Sequence, residues 1–295
     1  MRVISVMSEK GGVSKTTTSV NLAKGLSDKG MRVLLIDLDP QGNATRYFMD
    51  NYRRVSRKEF IEDFHPPKKD LFSVNRELKD FIYSHSEVQK DINTVLSEEA
   101  LDNPEIVREC IMHTDVGGTL DVIPSLRHEL INTSAALTVT NRVPFSRLKH
   151  ALREVRREYD VAIIDNAPTY NIITINALLV SQDVIIPLPV GISELEGFVT
   201  TVENIEQFER DQDLFDIRVH VLMTMIHRGK RPEQDLYISK LKEIFPECLY
   251  ETTIGYQDSI ASRTAQVGSF ILDTDSRIGG DYRSLIEEIG AGGEE

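Results

Sequence analysis

The sequence has no tryptophan and only two cysteines, Cys110 and Cys248, among its 295 residues. The cysteines lie far apart and form no CxxC pair, which argues against a disulfide framework, a zinc ribbon or a cluster held by paired thiolates. There is no run of about 18 apolar residues, so the sequence predicts no transmembrane helix. The short apolar stretch at the N-terminus leads directly into a glycine turn, which indicates a strand and not a signal peptide.

Basic residues are in deficit, with 34 Lys and Arg against 47 Asp and Glu and a formal net charge of −13. This balance excludes a polyanion-binding surface over the whole molecule. It leaves room for a local basic patch, because affinity for phosphates follows the local field. Hydrophobic residues make up 40% of the chain, which is enough for a substantial core. No linker rich in Pro, Gly or Ser divides the chain, so we expect one domain over residues 1–295.

Short β-branched apolar runs alternate with helix-length segments along most of the chain. Runs that are apolar almost throughout are typical of strands covered on both faces. The alternation predicts an α/β fold, with a doubly wound, mostly parallel sheet and helices on both faces. The predicted strands are Val3–Met7, Arg32–Asp37, Leu120–Pro124, Val161–Asp165, Val184–Pro187 and Ile217–Met225. The predicted helices are Thr16–Lys29, Leu126–Leu137, Pro144–Glu158, Ile172–Val180, Ser193–Glu209, Asp235–Ile244, Ser259–Val267 and Asp281–Ile289.

Residues 46–118 interrupt this alternation with few strand signals and many charges. Patterns at Leu71–Tyr83, Glu87–Leu96 and Glu105–Met112 are typical of helices. The sequence therefore predicts a mostly helical insertion between the second and third predicted strands.

The first predicted strand is followed by a glycine turn, a Lys-Thr pair and a helical pattern. This is the layout of a phosphate-binding loop, in which backbone N–H groups and the start of a helix converge on phosphate oxygens. Lys15 would reach the β- and γ-phosphates of a nucleotide, and the Thr16 hydroxyl would bind Mg²⁺. The general pattern GxxxxGK[ST] is not matched, because Glu9 and Ser14 stand where it requires glycine.

Three segments resemble the motifs of the ParA/MinD family of ATPases. Lys10-Gly11-Gly12 followed by Lys15-Thr16-Thr17 resembles the family's deviant Walker A box. The stretch LLIDLDPQGNAT at 34–45 is similar to its second-strand motif, and YDVAIIDNAP at 159–168 resembles its Walker B strand. The resemblance spans both ends of the chain and weakens across 46–118. Asp39-Pro40-Gln41 favours the ParA branch of the family.

The resemblance implies ATP and Mg²⁺ as cofactors, and it implies roles for residues of the three motifs. Lys10 is the signature lysine, which reaches across an ATP-sandwich dimer to the partner's nucleotide. Asp39 orients the attacking water. The implied catalytic residues are Lys10, Lys15 and Asp39. The implied nucleotide-binding residues are Gly11, Gly12, Val13, Ser14, Lys15, Thr16 and Thr17. The implied metal-site residues are Thr16, Asp37, Asp39 and Asp165.

The resemblance further implies an ATPase that forms a homodimer with ATP, binds DNA without sequence preference and hydrolyses ATP weakly until a partner stimulates it. Its expected use is the segregation of plasmid or chromosomal DNA through a ParB-like adaptor. We therefore expect a cytoplasmic, nucleoid-associated protein with no membrane partner. The expected DNA-binding residues are Arg228, Lys230, Arg231 and Arg263.

Two alternatives stay open. The first is the positioning of a protein cargo such as carboxysomes on the nucleoid, as in McdA-like relatives. The second is a nucleotide-binding scaffold with negligible turnover. Ser14 motivates the scaffold, since the family has glycine there. If the position requires a positive φ, a side chain costs on the order of 1 kcal/mol.

Overall fold

In the part of the chain that the structure describes, seven strands form one sheet in the order β3-β4-β2-β5-β1-β6-β7, and every neighbouring pair is parallel except β3 and β4. The strands are β1 (Arg2–Val6), β2 (Arg32–Leu38), β3 (Met112–His113), β4 (Thr119–Ile123), β5 (Val161–Asn166), β6 (Asp183–Pro189) and β7 (Arg218–Thr224). The computed structural model describes residues 1–48, 57–66, 70–83, 90–126, 129–214, 216–227, 229, 231–257, 260, 264 and 268–291. The predicted α/β fold with a mostly parallel sheet is confirmed.

Helices cover both faces of the sheet. They are α1 (Lys15–Asp28), α2 (Arg57–Asp63), α3 (Leu71–Tyr83), α4 (Ile92–Val95), α5 (Glu98–Asp102), α6 (Ile106–Glu109), α7 (Leu130–Val139), α8 (Arg147–Val155), α9 (Ile172–Leu178), α10 (Ile192–Gln212), α11 (Pro232–Ile244) and α12 (Arg277–Ala291). Short 3₁₀ turns lie at Thr45–Tyr47 and Ile271–Asp273.

The first and last helices pack together on one face of the sheet. Val20 and Leu26 of α1 and Leu285 of α12 are buried with the side chains of β1, β2 and β5 that point to this face. Gly25 lets the two helices approach closely, because a Cβ there would lie 1.9 Å from Cδ1 of Ile286. This contact anchors the helix that follows the glycine turn, and so the turn itself.

The opposite face is covered by α8 and α9 together with part of the 46–118 insertion. Ile92, Leu96 and Val107 of the insertion are fully buried against side chains such as Ile164 of β5. The second half of the insertion therefore contributes to the core on this face of the sheet.

The insertion differs from its prediction in two respects. Met112 and His113 form β3, an edge strand antiparallel to β4, where a helix was predicted to continue to Met112. Two residues are too few to show a strand period, so the sequence carries no signal for this strand. The predicted helix at Glu87–Leu96 is also shorter, covering Ile92–Val95 within the described residues.

Most of the predicted helix Ser259–Val267 lies outside the described residues. Across the part of the chain that is described, no helix is both long and apolar enough to cross a membrane.

Candidate nucleotide site

The candidate site lies where the carboxyl ends of β2, β5 and β1 meet. These three strands are adjacent in the sheet, and Asp37 of β2 is in register with Asp165 of β5. Because paired residues of parallel strands point to the same face, both carboxyl groups face the side on which α1 packs. Both side chains have 0% exposure.

The loop between β1 and α1 has two residues in the left-handed region. Gly12 has φ 76°, and Ser14, the residue before α1, has φ 75° and ψ 24°. The Ser14 hydroxyl makes no capping hydrogen bond to α1, whose residues are all described. On the β7 side, the Thr224 hydroxyl donates to the Val13 carbonyl at 3.2 Å. The hydrogen bond from β7 thus fixes one side of the loop, while Gly11 and Gly12 of the same loop are exposed to solvent.

The start of α1 is connected directly to Asp165. The Thr16 hydroxyl donates to one carboxylate oxygen of Asp165 at 2.8 Å, and the Ser19 hydroxyl donates to the other at 2.8 Å. Lys15 is buried, and its ammonium donates to the carbonyl of Lys10 at 2.8 Å. The two residues expected to hold phosphate and metal therefore lie beside the Walker B-like carboxylate.

Asp37 is the next-to-last residue of β2, and Asp39 comes directly after the strand. Asp37 accepts from the backbone N–H of Asp39 at 3.0 Å through Oδ1, and from the N–H and hydroxyl of Thr45 at 2.8 and 2.7 Å through Oδ2. Asp39 accepts from the N–H of Gln41 at 2.8 Å and is 8% exposed. It also lines a cavity of about 500 Å³ between the loops after β2 and β5 and helices α7 and α9.

Burial and mutual repulsion act on the carboxyl groups of the site. Burial, and then the charge of Asp165, raise the pKa of Asp37. Burial also raises the pKa of Asp165, against the hydrogen bonds from Thr16 and Ser19. Burial lowers the pKa of Lys15, and the charges of Asp165 and Asp39 oppose this. Two buried carboxylates with one buried ammonium form a site that a further cation would stabilise in its ionised form.

The oxygen donors of the site suit Mg²⁺, a hard cation that keeps much of its water. Within the described residues, no group of three or more His, Cys, Asp or Glu side chains is placed to hold a metal ion by itself. A Mg²⁺ site here would therefore combine the Thr16 hydroxyl with water-mediated contacts to Asp37 and Asp165 and with the phosphates of a nucleotide.

Lys10 lies apart from this cluster, on the N-terminal end of α10. Its ammonium donates to the hydroxyl of Ser193 and, at 3.2 Å, to the Ser193 carbonyl, and it lies 3.7 Å from Oε1 of Glu194. The aliphatic part of the Lys10 side chain packs against Gly197, where a Cβ would lie 3.2 Å from the Lys10 Cβ. This contact keeps the lysine side chain alongside α10. The lysine is thus bound within its own chain in this structure.

Of the residues expected to contact DNA, Arg231 is described. It is exposed and immediately precedes α11. Arg228, Lys230 and Arg263 lie outside the described residues. The DNA-binding prediction therefore stays a prediction.

Sequence reasoning missed two residues of the site, Ser19 and Thr45. Ser19 stands three positions after Thr16 on α1, and this spacing, which places both hydroxyls on one face of the helix, could have identified it. Thr45 ends the motif at 34–45, but its contact with Asp37 depends on the turn between them and has no signal of its own in the sequence.

The arrangement of strand, glycine turn, Lys-Thr and helix, with two carboxylates on adjacent strands, defines a P-loop nucleotide-binding protein. Comparison with known proteins supports the same class. The family described as AAA domain matches residues 1–217. The sporulation initiation inhibitor protein Soj of Bacillus subtilis is 27% identical over 293 residues, which cover 99% of both chains. The chromosome partitioning protein ParA of Caulobacter vibrioides is 31% identical over 294 residues, covering 98% of this chain and 94% of that one.

A solved structure of a Cyanothece McdA variant in complex with ATP has the same fold. It has a TM-score of 0.72 and 18% sequence identity, covering 98% of this chain and 96% of that one. The chain belongs to the ParA/MinD family of P-loop ATPases, among relatives that include chromosome partitioning proteins.

Proposed function

We propose that this protein is an ATP-driven switch that dimerises around two ATP molecules, binds DNA without sequence preference in that state, and is released when ATP is hydrolysed. The observation that carries the proposal is the cluster of Lys15, Thr16, Asp39 and Asp165 at the start of α1, beside the in-register Asp37. We propose further that residues 1–295 act as one domain.

Lys15 is the proposed phosphate-binding residue of the loop. Its ammonium would leave the Lys10 carbonyl, to which it donates in this structure, and donate to the β- and γ-phosphates. Backbone N–H groups from Gly11 to Thr17 would complete the phosphate site, since the start of a helix and a glycine turn offer donors there. Bound Mg²⁺ would neutralise charge on the phosphates.

Asp39 is the proposed group that orients the attacking water. It directly follows β2, its charge acts on the pKa values of Lys15 and Asp165, and it borders the cavity of about 500 Å³. A carboxylate in such a position accepts a hydrogen bond from water and directs the oxygen toward phosphorus.

Lys10 is proposed to act across the dimer. It would leave Ser193 and Glu194 of its own chain and place its charge near the partner's phosphates, where a cation stabilises charge that develops in the transition state. The ion pair with Glu194 is partly exposed, so it costs little to break.

DNA binding is proposed for the surface that includes Arg231 at the start of α11, with Arg228, Lys230 and Arg263 as further contacts. Two-fold symmetry would double this patch, which is how a chain of net charge −13 could bind phosphates locally. We propose a ParB-like adaptor as the stimulating partner and a cytoplasmic, nucleoid-associated location. The McdA-like alternative differs in its cargo and keeps the same cycle, so one experiment tests the step that both share.

That experiment measures retention of arbitrary-sequence DNA by the purified protein without nucleotide, with ADP·Mg²⁺ and with ATP·Mg²⁺, at stated salt concentrations. We expect DNA to be retained only with ATP·Mg²⁺, and we expect added salt to weaken that retention. Lys15→Ala should abolish it, and Lys29→Ala, which removes an exposed lysine just after the end of α1, should leave it unchanged. Equally poor retention in all three conditions would contradict the proposal.

The backbone of Ser14 favours one second candidate, a nucleotide-binding scaffold with negligible turnover. A serine held at φ 75° is strained where glycine is not, and the strain lies next to Lys15. This candidate predicts ATP-dependent dimers without phosphate release, even with DNA present. Measurable DNA- or adaptor-stimulated phosphate release would eliminate it.

A further inference from the structure

Thr45 makes two hydrogen bonds to a single oxygen of Asp37. It begins the 3₁₀ turn Thr45–Tyr47, and it is fully buried. Its backbone N–H lies 2.8 Å from Asp37 Oδ2, and its hydroxyl oxygen lies 2.7 Å from the same atom. Thr45 itself is eight positions away from Asp37 in sequence and is not among the residues that the family motifs assign to nucleotide or metal.

The direction of the hydroxyl hydrogen bond follows from a third partner. The backbone N–H of Ser125, two residues beyond β4, lies 2.9 Å from the Thr45 hydroxyl oxygen. An N–H can only donate, so the Thr45 hydroxyl accepts from Ser125 and gives its own proton to Asp37. Asp37 Oδ2 therefore receives two hydrogen bonds from Thr45, and the plane of the carboxylate is fixed.

The segment that carries Ser125 is itself held on both sides. The carbonyl of Pro124 accepts from the N–H of Ile92 at 2.9 Å, and the N–H of Leu126 donates to Asp91 Oδ2 at 3.0 Å. On its other side the segment packs closely against the turn after β2, since a Cβ on Gly42 would lie 2.5 Å from the Ser125 carbonyl oxygen. Ser125 thus offers its N–H from a rigid position.

We propose that Thr45 is a positioning residue that aims Asp37 at the metal site and that its hydroxyl is set by the N–H of Ser125. Thr45 acts through Asp37 and does not touch the nucleotide. Removing a partner that orients a metal-ligating group typically costs about 10- to 100-fold in metal affinity. Because Asp37 would contact Mg²⁺ through water, we expect an effect at the lower end of that range. The inference rests on the proposed function, because it requires Mg²⁺ to bind with nucleotide at this site.

Two substitutions separate the hydroxyl from the shape of the side chain. Thr45→Val keeps the volume and removes the donor, and Thr45→Ser keeps the donor and removes the methyl group. The readout is binding of a fluorescent, non-hydrolysable ATP analogue over a series of Mg²⁺ concentrations, with EDTA as the metal-free point. Thr174→Val is the matched control, since Thr174 is also buried but donates to the Thr169 carbonyl.

We expect Thr45→Val to need about tenfold more Mg²⁺ for half-maximal binding, with the metal-free affinity unchanged. Thr45→Ser and Thr174→Val should match the wild-type protein. Thermal unfolding without nucleotide checks that each variant is folded. If Thr45→Val does not fold, Thr45→Cys serves in its place, because a thiol is a weak donor and should give an intermediate Mg²⁺ requirement.

Wild-type Mg²⁺ dependence in a folded Thr45→Val protein, or in Thr45→Cys where that variant is used, would overturn the inference alone. An equal shift in Thr45→Ser would also overturn it, since the methyl group and not the hydroxyl would then matter. Absence of Mg²⁺-dependent nucleotide binding in the wild-type protein would overturn both this inference and the proposed function.

Discussion

At the scale of single residues, Ser14 carries the clearest physical cost in the nucleotide site. Its φ of 75° belongs to a region in which a Cβ approaches the following carbonyl, and its hydroxyl gains no capping bond to α1. Gly12, two positions earlier, has φ 76° and pays no such cost. The loop thus has nearly the same positive φ at two positions, one occupied by glycine and the other by serine.

Ser14→Gly is expected to raise the free energy of unfolding by up to about 1 kcal/mol, because relief of the left-handed strain exceeds the added freedom of the unfolded chain. Urea denaturation without nucleotide measures the change. Ser14→Ala is the control: it keeps the Cβ and removes only a hydroxyl that makes no cap, so its stability should stay near the wild-type value. Equal stabilisation by both substitutions would show that the backbone angle is not the cause.

The sequence could indicate which residues gather at this edge of the sheet, but it could not indicate their contacts. The Lys-Gly-Gly and Lys-Thr pair, with Asp37 and Asp165 at strand ends, pointed to a phosphate and metal site. The structure brings Lys15, Thr16 and Asp165 together at that edge. The hold of Ser193 on Lys10, by contrast, joins positions 183 residues apart, and no local pattern encodes such a contact.

At the scale of secondary-structure elements, the parallel strands were the most predictable part of the fold. Strands buried on both faces need continuous apolar runs, so β2 and β5 could be recognised from composition alone. The edge strand β3 is two residues long and has an exposed histidine, so its sequence resembles a loop. Tertiary pairing with β4 makes it a strand.

The amino end of β6 is held by an ion cluster around Asp183. This carboxylate is 1% exposed and accepts from Arg2 at 2.7 Å, from Arg218 at 3.0 Å and from His220 at 3.0 Å. Burial alone would raise its pKa, but the hydrogen bonds from His220, Arg2 and Arg218 and the charge of Arg2 outweigh burial. They hold the pKa of Asp183 well below its usual range.

A carboxyl group with a depressed folded pKa stabilises the protein above its unfolded pKa of about 3.9, and this stabilisation is lost as the pH falls toward the folded value. Asp183→Asn should therefore lower the free energy of unfolding at pH 7 by about 2 kcal/mol. The difference from the wild-type protein should shrink below about pH 4. Urea denaturation at pH 7, 5 and 3 measures it.

Asp115→Asn changes the net charge equally at an exposed position and serves as the control. A loss in Asp183→Asn that stays constant from pH 7 to pH 3 would mean that packing, and not the charge of Asp183, accounts for it.

At the scale of the whole molecule, the net charge of −13 opposes the proposed dimer and the proposed DNA complex alike, but salt should affect them in opposite directions. Two chains of the same sign repel one another, and added salt screens that repulsion. DNA binding depends on the release of counterions from phosphates, and added salt weakens it. With saturating ATP·Mg²⁺, a rise in salt from about 50 to about 300 mM, over which the Debye length falls below ~8 Å, should tighten the dimer and weaken retention of DNA.

Sedimentation equilibrium measures the first effect, as a change from a species of 33.4 kDa toward twice that mass, and DNA retention at the same salt concentrations measures the second. The ADP·Mg²⁺ sample should stay at 33.4 kDa throughout. If salt weakens the dimer as it weakens DNA binding, then pairs of opposite charge dominate the subunit interface. The repulsion between two acidic chains would in that case be a smaller contribution than their total charge indicates.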